Sequence, residues 1–180
     1  MEPRLFDAHC HLDLMTYPNA VADETAAKGL GVFDCGVDPR DFTAAKKQAS
    51  RYPNIIAGIG LHPWWLADGR CGPAEVNLLC EIAAQECYIG EVGLDFSARF
   101  AGSEPLQIQA LDRLCDALVQ RPLAERVISI HAVRQEPYWT SSNRMDYSSQ
   151  TPIPPLSSST GLAALRTNSP ARVMRAAIFP

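Results

Sequence analysis

The amino-acid sequence predicts an α/β fold of the (β/α)-barrel type, with parallel strands alternating with helices. Three observations carry that expectation. Short, nearly continuous apolar runs recur between stretches of helical periodicity, the pattern of strands covered on both faces. No Gly-x-Gly-x-x-Gly follows the first apolar run, which counts against an open dinucleotide-binding sheet. His9, His11, His62, Glu91 and His131 all fall at or near the C-terminal ends of expected strands, where barrel active sites are built.

The first strand is expected in Phe6-Asp7-Ala8-His9-Cys10-His11-Leu12. Side chains alternate faces along a strand, so Asp7, His9 and His11 share one face while Ala8 and Cys10 take the other. Two neutral imidazoles from one strand suit a borderline divalent cation such as zinc. Taken alone, they read equally well as half-buried histidines beside a carboxylate. Pro18 to Lys28 is alanine-rich and helix-friendly, and Gly29 and Gly31 supply its stop. Leu30 to Val37 reads as the second strand.

Pro39 suits the first turn of a helix in which Phe42, Ala45, Ala49 and Tyr52 repeat, ended by Pro53. Ile55 to Leu61 is the third strand and closes on His62-Pro63. A loop through Gly69, Cys71 and Gly72 then leads to Pro73. Beyond it, Val76, Leu79, Cys80 and Ala83 mark one face of an amphipathic helix. Tyr88 to Leu94 is the fourth strand; it carries Glu91 and ends at Asp95. Ser103 is an expected N-cap for a helix whose buried stripe is Leu111, Leu114, Cys115 and Leu118. Arg126 to Ile130 is the fifth strand, ending on His131.

From Gln135 the character changes. Ser141-Ser142, Ser148-Ser149, Ser157-Ser158-Ser159, Pro137, Pro152, Pro154, Pro155 and Pro170 crowd a stretch without histidine, cysteine or lysine. That composition predicts a disordered or irregular tail over 135–180, with a weak helical patch at Gly161 to Arg166. Residues 1–134 would then form one partial barrel domain.

Composition bounds the partners. A chain of 180 residues with 47% hydrophobic residues can bury one good core. Its net charge of −4 gives no global attraction for DNA or an anionic membrane. Nucleic acid stays open as a substrate, because a metal site supplies its own positive charge. The six cysteines form no Cys-x-x-Cys pair and read as reduced thiols of a cytoplasmic protein. No signal peptide and no membrane-spanning run is expected, and no protein partner is evident.

Chemistry gathers at the strand ends. Glu91 in a buried apolar strand is costly unless paired or metal-bound. The plainer alternative is a carboxylate satisfied by backbone donors or an arginine. His131 reads as a ligand or as a satisfied core histidine. His62 reads as a substrate contact or as an imidazole fixing the turn before Pro63. Asp95 could pair with Arg99 or orient a ligand.

Asp7-Ala8-His9-Cys10-His11-Leu12, Gly60-Leu61-His62-Pro63 and Gly90-Glu91-Val92-Gly93-Leu94-Asp95-Phe96 together resemble the TatD family of metal-dependent hydrolases. Gln109-Ala110-Leu111 and Ser129-Ile130-His131 continue the resemblance in order, over about residues 4 to 134. The resemblance implies a TIM-type barrel of the amidohydrolase superfamily holding one or two divalent ions (zinc, magnesium or manganese). It implies that His9 and His11 hold the first ion, Glu91 bridges and is catalytic, and His131 holds the second. His62 would contact the substrate, DNA or another phosphodiester. The family's later histidine and aspartate have no counterpart after His131.

The expected barrel is therefore incomplete, with about five β-α units of the usual eight. A frameshift, splice variant or gene-model error after about Arg134 would account for the break. Two alternatives stand beside the hydrolase: a catalytically inactive remnant, and an amidohydrolase-like enzyme acting on amide or ester bonds.

Overall fold

The computed structural model describes residues 5–123, 125–134, 161–166 and 173–179. Strands β1 (Leu5–Cys10), β2 (Leu30–Cys35) and β3 (Ile55–Gly58) form one parallel sheet in that order. Strands β4 (Tyr88–Asp95) and β5 (Glu125–Val133) pair in parallel within a second sheet. The helices between them are α1 (Pro18–Lys28), α2 (Phe42–Ala49), α3 (Pro63–Ala67), α4 (Pro73–Ala83) and α5 (Glu104–Gln120). An Ile59–Ile89 bridge joins the two sheets, flanked by Gly90 N–H to Ile59 O at 2.8 Å and Leu61 N–H to Glu91 O at 3.0 Å. The result is the α/β architecture of parallel strands and an incomplete barrel. Among the described residues, no helix is long and apolar enough to cross a membrane.

The tail departs from expectation where it is described. Gly161–Arg166 is a strand, β6, and not a helical patch. It pairs antiparallel with β7 (Val173–Phe179), which lies parallel to β5. Six residues are too few to hold an isolated helix, so a neighbouring strand overrides the helical propensity of Leu-Ala-Ala-Leu. The expected disorder elsewhere in the tail falls outside the described residues.

Two further elements differ. β1 stops at Cys10, and its pairing with β2 is irregular between Asp7 and Cys10. Simple alternation therefore fails for Asp7, whose exposed carboxylate accepts the His9 backbone N–H at 3.0 Å. Between His62 and the expected loop at Gly69 to Gly72 lies an additional short helix, α3, opened by Pro63 at its first position.

The larger core lies between α4, α5 and strands β4 and β5, with Leu79, Ile89, Leu94, Leu114 and Ile128 buried. A smaller one packs Leu12, Ala22, Val32, Ala49 and Ile55 around β2. Asp34 on β2 is also buried, and its carboxylate accepts the Leu12 N–H at 2.8 Å, fixing the turn after His11. Burial pushes the Asp34 carboxyl up from 3.8 to about 6, with the Leu12 N–H opposing.

A raised folded-state value means that ionisation of Asp34 opposes folding. Stability is lost as pH rises between 3.8 and about 6. Asp34→Asn keeps an acceptor for Leu12 without the buried charge. It should be the more stable protein at pH 7.5, by at most about 3 kcal/mol, with a flatter pH profile. Urea midpoints identical to wild type at pH 7.5 would refute this.

Candidate metal centre

Glu91 is 2% exposed at the middle of β4, and every histidine of the chain reaches it. His9 Nε2, His11 Nε2 and His62 Nε2 lie 3.3, 3.2 and 3.2 Å from Glu91 Oε2. His131 Nδ1 lies 3.0 Å from Oε1. Glycines make this crowding possible. At Gly93 (φ +148°) a Cβ would stand 2.0 Å from the His131 carbonyl oxygen. At Gly90 (φ +155°) it would stand 2.6 Å from the Ser129 Cβ. No other residue lets β5 approach so closely.

The far ring nitrogens sort the histidines by chemistry. The Cys35 carbonyl can only accept, so His11 Nδ1 donates to it at 2.6 Å, and the neutral ring keeps a lone pair on Nε2. His62 is the reverse. Its Nδ1 accepts the Trp64 N–H at 3.2 Å, so the proton of the neutral ring sits on Nε2 and points at Glu91. His131 faces carboxylate oxygens at both nitrogens, with Nε2 3.2 Å from Asp95 Oδ2. Two acceptors demand two protons, or one proton and a cation.

Titration follows the geometry. Burial opposes ionisation of Glu91, but the rings of His11, His131, His62 and His9 within hydrogen-bond reach of its oxygens outweigh it and hold the carboxyl well below the usual range. Burial would lower His11 and His131; their bonds to Glu91, joined by the Cys35 carbonyl and Asp95, raise both instead. Burial wins at His62, which stays below the ordinary histidine value.

Asp95 resolves toward His131 and not toward Arg99. Its Oδ2 also accepts the Trp64 indole N–H at 2.6 Å, and Gln107 grips its backbone at 2.7 and 3.0 Å. The Arg99 guanidinium instead lies over the Trp64 and Phe100 rings, 5.4 and 5.1 Å from their centroids.

The donor set fits a divalent cation. His9 Nε2 and His11 Nε2 stand 3.0 Å apart, each 3.2–3.3 Å from Glu91 Oε2. Ligands bound tetrahedrally at 2.0–2.1 Å are separated by about 3.3 Å. His62, Glu91 and His131 make a second cluster of potential ligand atoms. Within it the Nε2 proton of His62 disfavours that ring as a ligand.

Sequence reasoning brought His9, His11, His62, Glu91 and His131 to one place, and the structure assembles them there. It missed Trp64, the Cys35 carbonyl and Ser129. Only Ser129 carried a signal: it is the polar residue two before His131 on an apolar run, hence on the same face.

Residues 6–145 match the family described as TatD related DNase. The chain belongs to the TatD family. The match runs past Arg134, where the motif resemblance stopped. The crystal structure of YjjV, a TatD homologue from Escherichia coli K12, superposes with a TM-score of 0.63 at 21% identity, covering 77% of this chain. That superposition covers 54% of YjjV, so the chain spans about half its length, and the similarity is one of fold. No curated protein matches the chain. The TatD family is metal-dependent and hydrolytic, which agrees with a donor set spaced for a cation.

Proposed function

We propose that this chain is a metal-dependent hydrolase that cleaves phosphodiesters, with DNA as its substrate class. The observation that carries the reading is the convergence of four histidine rings on one buried, ionised carboxylate. His9, His11 and Glu91 would hold a first divalent cation, zinc, magnesium or manganese, with Glu91 bridging toward a second at His131. Such an ion lowers the pKa of water and offsets negative charge gathering on phosphoryl oxygens. Glu91, kept ionised by its neighbours, supplies the fixed negative charge that the cation requires. His62 presents an N–H into the same space and would donate it to a phosphoryl oxygen of the substrate. His131 would offer one ring nitrogen to that second ion and keep its proton on the other, between Glu91 Oε1 and Asp95 Oδ2.

All of these residues fall within 1–134, which we assign as the catalytic unit. The six cysteines are thiols in this fold and not disulfides, which supports a reducing, cytoplasmic setting.

A second reading has its own observation. Residues 132–180 add no histidine to the cluster, which supports a fold that binds an ion without turnover.

One experiment separates them. The purified chain is loaded with zinc, magnesium or manganese and offered DNA, bis-p-nitrophenyl phosphate, and amide and ester substrates. Hydrolysis of DNA and the diester is expected, abolished by EDTA and restored by the ion. Bound metal with no turnover of any substrate would establish the second reading. Turnover confined to amides or esters would replace the phosphodiesterase with an amidohydrolase.

A further inference from the structure

Ser129 is completely buried on β5, two residues before His131 and on the same face of the strand. Its hydroxyl lies 2.9 Å from His9 Nδ1. In the order β1-β2-β3 followed by β4-β5, His9 and Ser129 stand on strands that do not neighbour each other. The bond therefore crosses the interior of the partial barrel. The buried Cys35 thiol donates to the Phe33 carbonyl at 3.8 Å, which leaves its sulfur lone pairs open to the Ser129 proton. A hydroxyl has one proton and two lone pairs. With its proton turned to the Cys35 sulfur, the Ser129 oxygen is left to accept from His9 Nδ1. That arrangement puts the proton of the neutral His9 ring on Nδ1 and bares Nε2, the atom facing His11 Nε2 and Glu91 Oε2.

The need for such an anchor is visible in β1. Its register is irregular between Asp7 and Cys10, and Leu5 and Phe6 are largely exposed, so the strand itself fixes the His9 ring poorly. Gly90 answers from the other side. A Cβ there would stand 2.6 Å from the Ser129 Cβ, so the glycine leaves room for the serine behind the carboxylate.

The structure assigns Ser129 as a positioning residue that fixes the ring orientation and tautomer of His9, and so sets the metal affinity of the His9–His11–Glu91 group. The assignment rests on the reading of His9 as a ligand. Hydrogen-bond partners behind ligating histidines are worth about 10–100-fold in metal affinity.

The test is zinc titration of the purified chain and its Ser129→Ala variant at pH 7.5. It is joined by long-range 1H–15N spectra of the His9 ring without metal. Zinc affinity should fall about 10–100-fold in the variant with the melting temperature nearly unchanged, and the His9 ring should shift toward the Nε2–H tautomer. Equal zinc affinity in the two proteins would overturn the assignment. If the variant does not fold, the wild-type spectrum decides: a His9 proton on Nε2 refutes the anchor, and one on Nδ1 upholds it. If wild type binds no zinc, the metal reading fails by itself, and the same spectrum still tests the anchor.

Discussion

A Glu91→Gln variant should lose divalent-cation binding by at least about 100-fold and phosphodiester hydrolysis by about a thousandfold or more. The side chain keeps its size, so the loss isolates charge. An amide offers one neutral oxygen where the carboxylate offers two charged ones, and its NH2 would point donors at rings that themselves carry protons. His11, His62 and His131 then surround a neutral group in a buried site. The effect on stability has a sign that can be worked out. Glu91 is depressed in the folded state, so its contribution is present above the unfolded value of 4.5 and is lost as pH falls. His11 and His131 are raised, so theirs is complete below 6.5 and is lost as pH rises through their folded values. The cluster stabilises the metal-free protein most between those limits. Melting curves at pH 6 and pH 8 should therefore show the variant further below wild type at pH 6. Metal affinity and turnover equal to wild type would remove Glu91 from the centre of the site.

The largest stability loss is expected away from the site, at Arg126. Its side chain is buried, and its guanidinium donates to the carbonyls of Glu86, Leu118, Ala83, Ala84 and Arg121. Those oxygens belong to the C-terminal ends of α4 and α5 and the turns that follow, where carbonyls lack partners and the helix dipole is negative. One cation thus satisfies the ends of two helices. Arg126→Met fills the space and strands the carbonyls, at about 3–5 kcal/mol. For a domain of this size that lowers the melting temperature by roughly 10 °C. Arg126→Lys should recover little, since an ammonium has three donors and no fork. A methionine variant as stable as wild type would show that water replaces the guanidinium at no cost.

These residues differ in how legible they were. His9, His11, Glu91 and His131 could be read from the chain because each lies on, or directly after, an apolar run that reads as a strand, and a barrel turns alternate side chains of every strand toward one interior. Strand and helix order followed from periodicity for the same local reason. Arg126 could not be read that way. It begins an apolar strand and looks like a solvated flank until α4 and α5 bring their C-termini to it. Trp64 was hidden by the short helix it occupies. The His62 tautomer depends on one backbone N–H two residues away, which no pattern of residue types encodes. Gly161 to Arg166 failed for the opposite reason, since local propensity pointed one way and a partner strand pulled the other.

The join between β3 and β4 gives the cluster a mechanical meaning. β1, β2 and β3 belong to one sheet and β4 and β5 to another, and between them the backbone ladder narrows to the Ile59–Ile89 bridge and the few hydrogen bonds beside it. His9 and His11 come from the first sheet, Glu91 and His131 from the second, and His62 from the crossing between them. Every bond from His9, His11 or His62 to Glu91 is therefore a stitch across that seam. The centre is a clasp as well as a candidate site of chemistry, and whatever loosens its charges loosens the wall of the barrel at its thinnest point.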